Sequence, residues 1–256
     1  MFKLIRIFSC AILLVASCEL LAKTKSVSLT TLTWEPYIGK SMPGNGYVFE
    51  LVHQAFTRAG YQVNIDFLPW ARALKYARAG VADGIFPEYY GEERKKDFVF
   101  SAPFPGGPVG FYKRQNSPIQ FKTDPRVDQA QALKELSQYR FGVVRGYINT
   151  KTFDEAEYLK KSEAISDEQN LKKLSHGRID LIFIDKFVAL HLLKNNLPYL
   201  LNGVVFMEPE LEKKDLYIAF SKKAENSQQK LKDFNRALEE MKKDGTLSNI
   251  MMQHGF

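Results

Sequence analysis

Gly84-Ile85-Phe86-Pro87-Glu88-Tyr89-Tyr90-Gly91-Glu92-Glu93-Arg94, closed by Phe98-Val99-Phe100-Ser101-Ala102-Pro103, is the stretch that decides how this chain is read. A short apolar strand runs into an aromatic, glycine-punctuated turn. An arginine follows, and a second apolar run ends at proline. An arginine placed where a strand gives way to a helix start suits a carboxylate, because its planar fork donates two parallel hydrogen bonds. A surface turn with solvated charges has the same local pattern, so the flanking segments must decide.

Upstream, residues 26–33 alternate apolar and hydroxyl side chains and predict a strand, which Trp34-Glu35-Pro36-Tyr37 ends. Phe49, Leu51, Val52, Ala55 and Phe56 recur at helical spacing, and Gly60 is the stop. Residues 61–67 alternate as a second strand, Pro69 opens a helix to Ala79, and 82–86 form a third strand. Strand–helix–strand–helix–strand is the pattern of a sheet with crossover helices.

Downstream, 103–114 reads as a glycine-rich connection into a strand at 109–112, with Gly106-Gly107 a flexible turn. A polar, proline-bearing stretch, 113–128, reads as a boundary. The pattern then restarts with a helix at 130–136, a strand at 140–144 and a turn at Arg145-Gly146-Tyr147. A helix at 153–159, a short strand at 164–166, a helix at 167–174, a strand at 179–184 and a helix at 186–194 come next. Strands at 200–207 and 216–220 flank a polar link at 209–214, and amphipathic helices at 227–243 and 247–254 finish the chain. Two α/β lobes are therefore expected. Ligands in open α/β sheets lie outside the carboxyl ends of the strands. Trp34, the 86–94 turn, the 145–147 turn and Asp185 all lie just past such ends, which favours a functional reading of Arg94.

The 256 residues suffice for a sizeable core, and a composition 45% hydrophobic and 25% charged is that of a globular protein. Nineteen Phe and twelve Tyr predict a core or cleft rich in rings. The net charge is +7, yet basic residues are interspersed with acids, as in Glu92-Glu93-Arg94-Lys95-Lys96-Asp97, so no nucleic-acid stripe is expected. Residues 1–22 read as an export signal, with Lys3 and Arg6 before an apolar run, 7–16, too short to span a membrane. Cleavage after Ala22 is expected; a lipobox at Val15-Ala16-Ser17-Cys18 would instead leave a lipidated Cys18. Either route places the protein outside the cytoplasm, in the periplasm. Both cysteines, Cys10 and Cys18, fall in this signal, so the folded part has no disulfide or thiol chemistry.

His53, His176, His191 and His254 form no metal-ligand spacing, and there is no nucleophile elbow or phosphate-binding loop. No catalytic residue, metal or cofactor is expected. Binding residues are better supported. Trp34 and Tyr37 offer ring faces to a ligand or anchor the core. Asp185 holds an ammonium group or caps the next helix. Trp70 and Arg72 line a cleft or pack one lobe. Tyr89, Arg145 and Tyr147 complete the candidates.

In their order and spacing these segments resemble the family 3 extracytoplasmic solute-binding proteins, the polar amino-acid receptors of ABC importers. The matching pieces are Trp34-Glu35-Pro36-Tyr37, Gly46-Tyr47, Gly80-Val81-Ala82-Asp83, Glu93-Arg94 and Phe98-Val99-Phe100-Ser101-Ala102-Pro103. Phe141-Gly142-Val143-Val144-Arg145-Gly146, Gly177-Arg178-Ile179-Asp180, Asn235-Arg236-Ala237-Leu238 and Lys243-Asp244-Gly245-Thr246-Leu247 continue the match over nearly the whole folded chain. The resemblance implies a two-lobed periplasmic binding protein type II fold with two crossing hinge strands, the first lobe from 23–112 and 210–256 and the second from 113–209. It also implies Arg94 on an α-carboxylate, Asp185 on an α-ammonium and Trp34 over the ligand side chain. The chain departs from the pattern at Phe86, Pro87 and Tyr89, which replace small hydroxyl residues, and at Gly146-Tyr147-Ile148, which replaces a hydroxyl-bearing turn. The expected protein is a monomeric receptor that captures an amino-acid-like ligand for an ABC permease. A same-scaffold enzyme resembling cyclohexadienyl dehydratase, with Glu88 or Glu35 as its acid, and a sensor module for a membrane partner are the alternatives.

Overall fold

A computed structural model describes residues 25–256. The expected signal, with Cys10, Cys18 and the cleavage site after Ala22, lies outside the described residues.

The first lobe is built on β1 (Lys25–Thr31), flanked in parallel by β2 (Tyr61–Phe67) and β3 (Gly84–Glu88), with Leu29 opposite both Ile65 and Gly84. Helix α1 (Tyr47–Arg58) connects β1 to β2 and buries Leu51, Val52, Ala55 and Phe56, the stripe its spacing predicts. Helix α2 (Trp70–Ala79) connects β2 to β3, and Gly80 ends it in the left-handed conformation at φ 76°. β3 runs two residues beyond its predicted end, through Pro87 to Glu88, and every one of its residues is buried. A short strand, β4 (Phe98–Phe100), comes after it.

Two long strands then cross between the lobes. β5 (Phe104–Arg114) leaves the first lobe, and β10 (Glu212–Ser221) returns to it. They pair antiparallel from Leu216 opposite Phe104 to Glu212 opposite Val109. β10 continues onto β3, with Ala219 opposite Ile85, while β5 continues onto β8 (Leu181–Asp185), with Val109 opposite Asp185. The boundary read at 112–113 thus falls at the far end of the crossing.

The second lobe orders its strands β5-β8-β6-β7, where β6 is Arg140–Val144 and β7 is Lys160–Ala164. Helices α3 (Gln129–Glu135), α4 (Lys151–Glu155), α5 (Asp167–Ser175) and α6 (Lys186–Asn195) cover it, and β9 (Val204–Phe206) pairs with β5. Phe111, Phe141, Phe153 and Phe183 pack with ring centroids 5.2–6.0 Å apart, which is where many of the phenylalanines are used. Helices α7 (Ser227–Lys243) and α8 (Thr246–Gln253) return to the first lobe, where Phe234 packs 5.3 Å from Phe56 of α1.

Five segments differ from their sequence reading, among them the short strand read at 164–166, which is β7 at Lys160–Ala164 and ends where that reading began. The second half of the link at 209–214 is the start of β10, and the 200–207 strand shortens to Val204–Phe206 behind a helical turn at Pro198–Leu200. The helix expected at 153–159 lies instead at Lys151–Glu155, since Thr150 caps it by accepting from the Phe153 amide. Gly106-Gly107 is not a flexible turn but part of β5. A Cβ at Gly106 would collide with the Lys214 carbonyl of the paired strand, and one at Gly107 would strike the Tyr37 hydroxyl. These glycines let the crossing strands and the cleft tyrosine approach closely. Gly106→Ala is expected to cost about 1–3 kcal/mol through overpacking against rigid backbone. Thermal and urea unfolding check this, and an unchanged midpoint would contradict it.

Candidate functional site

The cleft is assembled from residues just past strand ends in both lobes. Trp34 lies beyond β1 in a tight turn, with its amide donating to the Ile38 carbonyl at 2.7 Å and its ring stacked on Tyr37 at 4.8 Å. Trp70 opens α2, and its indole N–H donates to the Gly146 carbonyl of the opposite lobe at 2.9 Å. Tyr147 stands edge-on to both tryptophans, at 6.5 Å and 5.6 Å. A cavity of about 500 Å³ opens beside these rings, lined by Trp34, Glu35 and Trp70 from the first lobe and by Tyr147, Asp167 and Glu168 from the second. Its size suits a small organic molecule.

Asp167 is the first residue of α5, after Ser166, whose side chain caps the helix by accepting from the Gln169 amide. The positive end of the helix dipole favours a carboxylate there. Asp167 is only 6% exposed, and its Oδ2 accepts from the Trp34 indole across the cleft at 3.2 Å. Burial pushes its carboxyl up to about 7, against the pull of the Trp34 N–H. Among the described residues it forms no ion pair.

Asp185 sits differently. Its Oδ1 caps α6, accepting from the Phe187 and Val188 amides at 2.8 and 3.1 Å. Its Oδ2 accepts from the Tyr37 and Tyr89 hydroxyls at 2.9 and 3.1 Å. Both oxygens are engaged, and of the two sequence alternatives, ammonium holder and helix cap, the cap is the one the geometry shows. Burial raises its carboxyl to about 6, and raises the Tyr37 and Tyr89 phenols well above their ordinary range.

Arg94 is buried and paired within its own segment. Its Nε donates to Glu88 Oε2 at 3.3 Å, and its Nη2 donates to the Gly146 carbonyl at 2.5 Å. Burial lifts the Glu88 carboxyl to about 7, and the guanidinium pulls the other way. Arg94 therefore bridges the lobes through backbone and glutamate and lines neither this cavity nor the small apolar one beside Tyr89.

Of the nine residues expected in the site, Trp34, Tyr37, Trp70, Tyr89, Arg94, Tyr147 and Asp185 converge where the lobes meet. Arg72 and Arg145 do not. Both are exposed, and Arg145 donates to Glu163 on the outer face at 2.7 Å. Asp167 and the Glu35–His191 contact, 2.9 Å long between the lobes, were not among the expected site residues. Asp167 was legible in principle, since it lies three residues past the carboxyl end of β7. Among the described residues no group of three or more His, Cys, Asp or Glu could hold a metal ion, and no helix is long and apolar enough to cross a membrane.

Carboxyls raised by burial fix the sign of a pH dependence. Asp167, Glu88 and Asp185 hold protons in the folded state at pH values where the unfolded chain, with ordinary values near 3.8 and 4.5, has released them. Stability therefore falls as pH rises from about 4 through about 7. The Tm is expected to be higher at pH 5 than at pH 8, with Asp167→Asn reducing the difference. A Tm that rises over this range, or a difference untouched by the substitution, would contradict the assignment.

Comparison with known proteins bears on this geometry. Residues 29–255 match the model of the bacterial extracellular solute-binding proteins, family 3. No curated protein matches the sequence. Among solved structures, an ancestral arginine-binding protein bound to arginine is 24% identical at a TM-score of 0.71, covering 90% of this chain and 98% of its own. An arginine third transport system periplasmic binding protein from Legionella pneumophila is 16% identical at a TM-score of 0.71, covering 90% and 99%. A histidine kinase sensor domain with similarity to periplasmic binding proteins is 16% identical at 0.74, covering 90% and 96%. The two crossing strands, the two-lobed α/β architecture and the match over 29–255 agree, and the chain belongs to the bacterial extracellular solute-binding proteins, family 3.

Proposed function

We propose that the protein captures a small amine-bearing, amino-acid-like solute in the periplasm and delivers it to an ABC permease. The observation that carries this reading is the cavity lined from both lobes and bridged by the Trp34–Asp167 hydrogen bond. A ligand seated there touches both lobes, so hinge closure on β5 and β10 and ligand capture become one equilibrium. Trp34, Trp70 and Tyr147 supply ring faces, and Asp167 supplies a carboxylate to a cationic group. The arginine-binding solved structures support an amine-bearing solute. No cofactor enters this scheme, and a monomer is sufficient for it.

A second reading, turnover on the same scaffold, draws on Glu35, which lines the cavity and meets His191 at 2.9 Å. A carboxylate and an imidazole in contact are a usable acid–base pair. Incubating the purified protein with any compound it binds and monitoring that compound by NMR separates the two, because the binding reading expects the compound to persist unchanged.

Isothermal titration across amino acids and amines tests the proposal. At least one is expected to bind, and Trp34→Ala is expected to weaken it by about 2 kcal/mol or more, the scale of a central aromatic contact. Unaltered affinity in Trp34→Ala would place the ligand elsewhere, and absence of binding across the series would overturn the reading.

A further inference from the structure

The charges around the cavity are lopsided. Its lining carries three carboxylates, Glu35, Asp167 and Glu168, against one cation, Lys40. Two of the carboxylates are answered nearby, Glu35 by His191 at 2.9 Å and Glu168 by Lys172 at 2.6 Å. Asp167, the most buried of the three, forms no ion pair among the described residues and has only neutral side-chain donors, the indole N–H of Trp34 and the neighbouring Tyr147 hydroxyl. Trp34, Trp70 and Tyr147 line the same cavity, and aromatic rings attract cations.

The groups that would hold a zwitterion's two ends are meanwhile engaged inside the protein. Arg94 is 5% exposed, with Glu88 on its Nε and the Gly146 carbonyl on its Nη2. Arg94 lines neither the cavity nor the small apolar one beside Tyr89. Asp185 has both oxygens filled by two amides and two phenols.

We propose that this site selects its ligand by a cationic nitrogen that carries no carboxylate beside it, so that an amine or guanidinium compound binds without needing a carboxylate, whereas an α-ammonium flanked by its own carboxylate is not enough. The cation pairs with Asp167 between the rings of Trp34, Trp70 and Tyr147. This rests on the reading of the cleft as the binding site and narrows the ligand class within it.

Two matched series of probes test it by calorimetry at pH 7.5: L-arginine, agmatine and norvaline, and L-lysine, cadaverine and norleucine. The second member of each series lacks the carboxylate and the third lacks the side-chain cation. Agmatine or cadaverine is expected to bind within about threefold of its parent amino acid, and norvaline and norleucine about 100-fold or more weaker, a loss of about 2.7 kcal/mol. Asp167→Asn, with its fold verified by its Tm, is expected to lose tenfold or more for the amines, about 1.4 kcal/mol. Binding of the amino acids with loss of the amines would overturn the inference while leaving the binding function standing. Equal binding of norvaline or norleucine, or full affinity in Asp167→Asn, would overturn it as well. Failure of all six probes overturns the cationic-ligand claim, and the wider titration series then decides the binding reading separately.

Discussion

A carboxylate removed from water without a cation must be compensated by whatever surrounds it, or give up its charge. Three carboxylates are buried where the lobes of this protein meet, and each is handled differently. Glu88 takes a guanidinium, Arg94, from its own segment. Asp185 takes two helix amides and two phenols. Asp167 takes the Trp34 indole N–H, the neighbouring Tyr147 hydroxyl and the start of a helix, and its carboxyl rises to about 7. Its shortfall of positive charge borders a cavity large enough for a ligand.

That shortfall is positioned by the crossing strands. β5 and β10 set the two sheets so that strand ends from both lobes face one cleft, and the glycines of β5 keep the strands in close contact. Tyr37, from the first lobe, passes beside Gly107 to reach Asp185 in the second, and Trp34 reaches Asp167 from the same turn. The cleft turn is thus tied to the hinge at one end and to the ligand cavity at the other. Any ligand that displaces the Trp34–Asp167 hydrogen bond acts on the equilibrium between open and closed lobes.

The sequence was most informative where one physical pattern acted alone. The α7 helix, Ser227–Lys243, matches its predicted span because its apolar stripe is clean and Asp244-Gly245 stops it. The crossing strand β5 was only half legible, since Pro105, Gly106 and Gly107 read as loop residues although cross-strand pairing holds them extended. At the site, Trp34 and Asp185 were legible from their place after strands. Arg94 was expected on a ligand carboxylate, and its pairing with Glu88 was not legible, because strand alternation does not say which side chain folds back onto which. Asp167 was hidden by a local pattern with its own sufficient explanation, an acidic residue in the first turn of a capped helix. Arg72 and Arg145 carried the expected chemistry, but both side chains are exposed and neither lines the cavity.

Asp167 is the group in this cleft that awaits a cation. Its carboxyl carbon can be monitored by NMR as pH is varied, with and without a bound amine, using Asp167→Asn to assign its signal. The free protein should titrate near 7, and binding of a cationic ligand should lower that value by a unit or more as the ion pair forms. A value that stays unchanged, or rises, when an amine binds would contradict it.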